Sequence, residues 1–296
     1  MSGAASESSP SGAALVKFIG QRALDLSGAG IDQARTEIEM ILCHLLECDR
    51  LDLYLNGPAR LDDALIARVD AIIAKRKTRY PLQYILGESW FYGRRFAVNP
   101  AVMVPTPETE QLCEIALSYL RQPEITSPRV LELGVGSGVI SVTLAAEYAA
   151  CRVTALDVSP DAIEVARGNA EAHNVAEHIE FRRSDLFAAV RGDERYDLFV
   201  SNPPYIADSD YATVPPEVKA DPKISLLGGT DGLDIVRVIV REAPSLVKKG
   251  GRIMFEIGFN QGRPVAELCE ASGLYEKVTI VKDLNDYDRI VVLTPR

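Results

Sequence analysis

Apolar residues recur at two different periods along this chain, and the change of period divides it. From Ala13 to Arg79 the spacing is helical. Ile38, Ile41, Leu42, Leu45 and Leu46 share one face of a turn of about 3.6 residues, as do Leu61, Leu65, Val69, Ile72 and Ile73. Asn56-Gly57-Pro58 breaks the pattern between these runs, and Gly28 to Gly30 breaks it earlier. Short helices with short connections predict a small all-α bundle over residues 13–79. From Arg129 onward, short apolar runs alternate with helical segments. Residues 130–133, 152–156, 179–182, 198–201, 252–257, 277–281 and 289–293 predict strands, and residues 159–172 and 231–247 predict helices. Repeated β-α units imply a parallel sheet with helices on both faces. The last two runs are joined by residues 282–288, too few for a crossover helix, so that pair is antiparallel.

Between the two patterns, Phe91-Tyr92-Gly93-Arg94-Arg95-Phe96 places aromatics around a glycine turn and predicts a β-hairpin. Trp90 stands at its start. An aromatic cluster in such a place is more often packing than a binding platform. Residues 1–12 are rich in Ser, Ala and Gly and lack both a basic start and an apolar core, which predicts a disordered tail and not a signal peptide. The plan is therefore a tail (1–12), a helical bundle (13–79), a linker with a hairpin (80–107) and an α/β domain (108–296).

Composition narrows the function. The net charge of −10 argues against a broad electrostatic grip on nucleic acid. Cys43, Cys48, Cys113, Cys151 and Cys269 are scattered, odd in number and without metal-ligand spacing, which suits reduced thiols in a cytoplasmic protein and no metal site. No apolar run approaches the length of a membrane span.

Candidate chemistry clusters at the ends of the predicted strands. Leu131-Glu132-Leu133-Gly134-Val135-Gly136-Ser137-Gly138 ends the first strand of the sheet and opens a helix. Its glycines let the chain turn tightly and let a ligand approach the backbone. The dinucleotide fingerprint G-x-G-x-x-G fails in both registers, because Val139 and Ser141 occupy the last position. Asp157 ends the second strand, where an acid accepts ribose hydroxyls in doubly wound folds. Asp185 follows the third strand, with Leu186 beside it. Asn202-Pro203-Pro204-Tyr205 follows the next strand and suits a planar NH2 group. The Asn oxygen and the Pro203 carbonyl each accept one N–H, the ring packs on the flat face, and the prolines stiffen the loop.

That tetrapeptide resembles the one in methyltransferases acting on amide or exocyclic amino nitrogens, and the acidic Gly-rich loop resembles their cofactor loop. The likeness extends over nearly the whole chain. Residues 81–87, 91–98 and Val104-Pro105-Thr106-Pro107-Glu108-Thr109-Glu110 look like the linker of release-factor glutamine methyltransferases (the PrmC/HemK family). Ile206 after the tetrapeptide, Gly228-Gly229 with Asp231-Gly232-Leu233, and Ala34-Arg35 continue the match. The resemblance implies the class I S-adenosylmethionine methyltransferase fold: a Rossmann-like, seven-stranded sheet with an antiparallel terminal hairpin, preceded by the helical bundle. It implies S-adenosylmethionine as cofactor, held by Glu132 at the methionyl ammonium, Gly134, Val135, Gly136, Ser137 and Gly138 in the loop, Asp157 at the ribose, Asp185 and Leu186 at the adenine, and Asn202. Its implied substrate is the side-chain amide of the glutamine in the Gly-Gly-Gln motif of peptide-chain release factors. Asn202, Pro203, Pro204 and Tyr205 would be the catalytic and substrate-binding set, with Met103 lining the target pocket and the bundle gripping the protein substrate. A monomer is the simplest expectation. Thr106 replaces the family's usual arginine, Asp221-Pro222 its Glu-Pro, and Met103 a common aromatic. A ribosomal-protein glutamine methyltransferase, an adenine-N6 nucleic-acid methyltransferase and a non-catalytic cofactor-binding module are the competing readings.

Overall fold

The computed structural model describes residues 10–57 and 61–296, with side chains from residue 13. The expected tail lies outside the described residues up to residue 9; the first helix begins at Pro10, whose fixed φ suits a first helical position. The chain divides into two compact units, residues 1–87 and 88–296.

The first unit is helical: α1 (Pro10–Ser27), α2 (Ala34–Leu46), α3 (Arg50–Leu55), α4 (Asp63–Arg76) and α5 (Leu82–Leu86). Ile38, Ile41 and Leu42 on α2, Leu53 on α3, and Val69 and Ile73 on α4 bury the face that the periodicity marked. Each such side chain contributes about 1.5–3 kcal/mol on burial. Asp49 and Asp62 cap α3 and α4 by accepting the N–H of Asp52 and Leu65, both at 2.7 Å. Arg76 grips Glu37 of α2 through both carboxylate oxygens, at 2.8 and 3.0 Å.

The second unit opens with the hairpin β1 (Glu88–Phe91) and β2 (Arg94–Ala97) and continues α6 (Pro107–Leu120), β3 (Arg129–Leu133), α7 (Val139–Glu147), β4 (Arg152–Asp157), α8 (Pro160–Ala172), β5 (Ile179–Arg183), β6 (Tyr196–Ser201), α9 (Asp234–Glu242), β7 (Val247–Glu256), α10 (Gly262–Ser272), β8 (Tyr275–Lys282) and β9 (Asp288–Pro295). Tyr92 and Gly93 both have positive φ, the conformation a two-residue hairpin turn requires. Phe91 and Phe96 are buried and meet edge to face, whereas Trp90 is 61% exposed, so packing accounts for the hairpin phenylalanines and not for the tryptophan.

Seven strands form one sheet in the order β5-β4-β3-β6-β7-β9-β8. β3 to β7 pair in parallel, and β9 runs antiparallel between β7 and β8. One core lies between the sheet and α6, α7, α8 and the hairpin; the other lies between the sheet and α9 and α10.

Three sequence expectations change here. Residues 80–107 are not a separate linker: Leu82 is buried in the first unit's core, while Phe91 and Phe96 belong to the core of the second. The side chains on either side of Gly87 are thus committed to different cores. The helix expected over 231–247 is only Asp234–Glu242. Gly232, with φ 77°, precludes helix before it, and Pro244 has no N–H to continue the ladder after it. The strand expected from residue 252 begins at Val247, with an irregularity between the Tyr196–Val247 and Leu198–Arg252 pairs.

Candidate active site

Neighbouring β3 and β6 are where the strand order reverses, because β4 lies on one side of β3 and β7 on the far side of β6. Chains leaving the carboxyl ends of two such strands diverge and open a crevice. A cavity of about 280 Å³ occupies this place. Glu132, Gly134, Val135, Gly136, Ser137, Asp157, Asp185, Leu186, Asn202, Pro203, Pro204 and Met103 all line it. Gly138 and Tyr205 do not.

The glycine loop is fastened to β4 by the N–H groups of Gly134 and Val135, which both donate to the Leu156 carbonyl at 2.8 and 3.0 Å. Asp157 is held in turn: its Oδ2 accepts the Gly136 N–H at 3.0 Å and its Oδ1 the Ser159 N–H at 2.9 Å. Each oxygen keeps a lone pair for a ligand hydroxyl. Gly138, which does not line the cavity, has a packing role. A Cβ there would lie 3.1 Å from the Ala166 Cβ, and its φ is 82°, so its bareness lets α7 pack on α8.

Glu132 is 1% exposed and accepts a short hydrogen bond from Ser141 Oγ. Burial pushes its carboxyl up to about 8, against the pull of that hydrogen bond. An acid so placed gains most from a cation that enters beside it. Asp185 is exposed at the cavity's edge. Leu186 has a positive φ of 48°, and Ser184 holds that turn by donating to the Leu186 carbonyl at 2.7 Å and accepting the Ala189 N–H at 3.0 Å.

Asn202 follows the last residue of β6. Its Nδ2 donates to Thr109 Oγ1 at 3.0 Å, which directs Oδ1 away from Thr109. Thr109 Oγ1 donates to Glu256 Oε2 at 2.5 Å, and both residues are buried. Tyr205 departs from expectation: its phenol shares surroundings with Glu256, Arg289 and Glu108, and burial, reinforced by Glu256, raises it well above its ordinary value. Its carbonyl accepts the Gln261 Nε2–H at 2.9 Å, which anchors the loop, and the residue is not among those lining the cavity. The Gly228-Gly229 segment braces the same loop. Ile206 donates to the Leu226 carbonyl at 2.8 Å, and Gly228 donates to the Ile206 carbonyl at 2.9 Å. A Cβ on Gly228 would stand 2.8 Å from the Pro204 carbonyl oxygen, and one on Gly232 would stand 2.3 Å from that of Tyr205. No side chain fits at either position.

Sequence reasoning missed Thr109, Glu256, Ser184 and the wall formed by Ala101, Pro105, Ile224 and Ile235. Glu256 carried a signal: it is an acid inside the apolar run Ile253-Met254-Phe255-Glu256-Ile257, as Glu132 is inside its own. Thr109 lay within a motif already quoted, with no chemistry attached to it. The wall residues carry no signal, since chain reversals far apart in sequence bring them together. Among the described residues, no group of three or more His, Cys, Asp or Glu side chains could hold a metal ion, and no helix is long and apolar enough to cross a membrane.

The family model described as PrmC N-terminal domain matches residues 21–87, and that described as Methyltransferase small domain matches residues 110–216. A release factor glutamine methyltransferase of Cereibacter sphaeroides is 46% identical over 267 residues, covering 90% of this chain and 93% of that relative. A second, of Nitratidesulfovibrio vulgaris, is 38% identical over 268 residues, covering 90% of each. Among solved structures, a methyltransferase from Pyrococcus furiosus is alike with a TM-score of 0.51 at 19% identity, over 76% of this chain and 96% of that one, a likeness of fold alone.

Proposed function

The chain belongs to the release factor glutamine methyltransferase family, and from that premise we propose that it transfers a methyl group from S-adenosylmethionine to the side-chain amide nitrogen of the Gly-Gly-Gln glutamine in peptide-chain release factors. The observation that carries this reading is the tethered Asn202 amide, one strand over from Glu132 and the glycine loop in the same cavity.

The donor set fits the cofactor. Glu132 offers a buried carboxylate for an ammonium, Asp157 offers two oriented oxygens for hydroxyls, and glycine backbone at positive φ allows close approach. S-adenosylmethionine, when bound, supplies an electrophilic methyl on a sulfonium. The chain's own residues must make a poor nucleophile competent, because an amide nitrogen delocalises its lone pair into the carbonyl. Asn202 Oδ1 and the Pro203 carbonyl accept the two N–H groups and hold the nitrogen so that its lone pair turns toward the methyl as conjugation is lost. Each hydrogen bond contributes only about 0.5–1.5 kcal/mol to net stability. Orientation contributes more, several kcal/mol of the barrier when the bound geometry is close to that of attack. Pro204 and the Gly228-Gly229 brace keep the loop from relaxing, with Tyr205 anchored to Gln261 through its carbonyl. No base is required before attack, since the proton leaves after the nitrogen has been methylated.

Thr106, where the family usually has arginine, precedes α6, with its hydroxyl 3.4 Å from that of Thr109. Met103 stays in the cavity wall. Both departures bear on substrate fit and leave the cofactor donors intact. The helical first unit is assigned to gripping the protein substrate. The test is transfer of labelled methyl from S-adenosylmethionine to a release factor and to the same factor with its Gly-Gly-Gln glutamine replaced. Label in the first and none in the second is the expected result; equal labelling of both would refute the site of transfer.

A further inference from the structure

Asn202 presents a symmetry problem. Its amide has nearly the same shape with oxygen and nitrogen exchanged, yet only one orientation offers an acceptor to an incoming NH2 group; the other offers a donor to a donor. Packing does not distinguish the two. A hydrogen-bond partner of fixed polarity does.

We propose that Glu256 and Thr109 form a relay that fixes the polarity of the Asn202 amide and so presents Oδ1, and not Nδ2, to the substrate nitrogen. The proposal rests on the role given to Asn202 above. Its geometry follows from the sheet. Ser201 of β6 pairs with Phe255 of β7, so Asn202 and Glu256 are the next residues on adjacent parallel strands. Thr109, in the first turn of α6, joins them: Oγ1 is 2.5 Å from Glu256 Oε2 and 3.0 Å from Asn202 Nδ2.

Polarity then runs one way. An ionised carboxylate only accepts, so the single hydroxyl proton of Thr109 is committed to Glu256. The Thr109 oxygen is left to accept, and the part of the Asn202 amide that faces it must be Nδ2. Oδ1 therefore lies on the other side. Glu256 is fully buried, and its Oε1 has no hydrogen-bond partner among the described residues, so the bond from Thr109 is what its carboxylate has in place of water. Arg289 of β9 attracts its charge, while Glu108 and Cys113 of α6 and the Tyr205 phenol share its surroundings. Burial lifts the Glu256 carboxyl to about 7, so the ionised relay is assayed at pH 8.

Thr109 and Glu256 are positioning residues, acting through Asn202. Thr109→Val keeps the shape and removes the hydroxyl; Thr109→Ser keeps the hydroxyl. At pH 8, Thr109→Val should lower kcat by about 10²-fold, the scale of a misplaced reacting group, with cofactor affinity unchanged. Thr109→Ser should retain most of the turnover. In an Asn202→Ala background, Thr109→Val should cost nothing further. Independently of activity, proton exchange at the Asn202 side-chain NH2, followed by NMR on 15N-labelled protein, should be slower in the wild type and in Thr109→Ser than in Thr109→Val. An Asn202 amide no better protected in the wild type than in Thr109→Val, or an undiminished kcat in Thr109→Val, would overturn the relay. A wild-type protein with the protected amide but no activity on release factors would support the relay and refute the proposed substrate.

Discussion

Asn202 donates its side-chain N–H to Thr109 Oγ1 at 3.0 Å across 93 residues of sequence, and this bond ties the end of β6 to the start of α6. It converts a flexible amide at the mouth of a crevice into a fixed acceptor. The Gly228-Gly229 segment and Gln261 hold the following loop from the opposite side, so Asn202 through Tyr205 is braced along its length.

Removal of that acceptor gives the most specific prediction. Asn202→Ala should lower methyl transfer on the order of 10²-fold, the scale of losing a positioned transition-state hydrogen bond. Cofactor affinity should stay close to wild type. Steady-state kinetics with parallel cofactor titration checks both, and an undiminished kcat would overturn the role of Asn202.

Asp157→Ala should act on binding. The carboxylate is prepositioned by the Gly136 and Ser159 N–H groups, and a charged acceptor contributes about 1.5–3 kcal/mol per hydrogen bond. Calorimetry should find cofactor affinity weakened at least about tenfold. Unchanged affinity would remove Asp157 from the cofactor site.

Gly138→Ala should act on stability. The substitution forces a side chain into φ 82° and against Ala166 at 3.1 Å. The expected loss is about 1–2 kcal/mol in urea unfolding, the usual cost of the left-handed conformation. A variant as stable as the wild type would contradict the packing role of this glycine.

Glu132 should make the cofactor-free protein less stable as pH rises. Unfolded, its carboxyl loses the proton near the ordinary 4.5; folded, burial keeps the proton on until about 8. Below 4.5 both states are protonated, and between these values the folded state loses about 1.4 kcal/mol per pH unit. Glu132→Gln should therefore be more stable than the wild type in urea at pH 8 and no more stable at pH 4, while binding cofactor more weakly. Equal stability differences at the two pH values would show that the carboxyl is not held protonated.

What the sequence revealed follows from how local each signal is. Helical period found the buried face of α2 and short apolar runs found the strands from β3 to β9, because Ile38, Ile41 and Leu42, or Val130, Leu131 and Leu133, carry the signal themselves. Ends were less legible where a backbone device decides them, as Gly232 and Pro244 do for α9. That Glu132, Asp157 and Asn202 line one cavity was legible because Asp157 and Asn202 stand where a strand meets a loop and Glu132 is an acid inside an apolar strand. Tyr205 and Gly138 were assigned to the ligand along with their neighbours in sequence, yet neither lines the cavity, and the bareness of Gly138 serves helix packing. Thr109 and Glu256 become partners only when the sheet sets β6 beside β7, and no local pattern announces that register.

The most direct measurement is peptide mass spectrometry of a release factor incubated with this protein and S-adenosylmethionine. One added methyl is expected, on the glutamine of the Gly-Gly-Gln peptide. An unmodified peptide, under conditions where cofactor binding is confirmed, would contradict the proposed transfer.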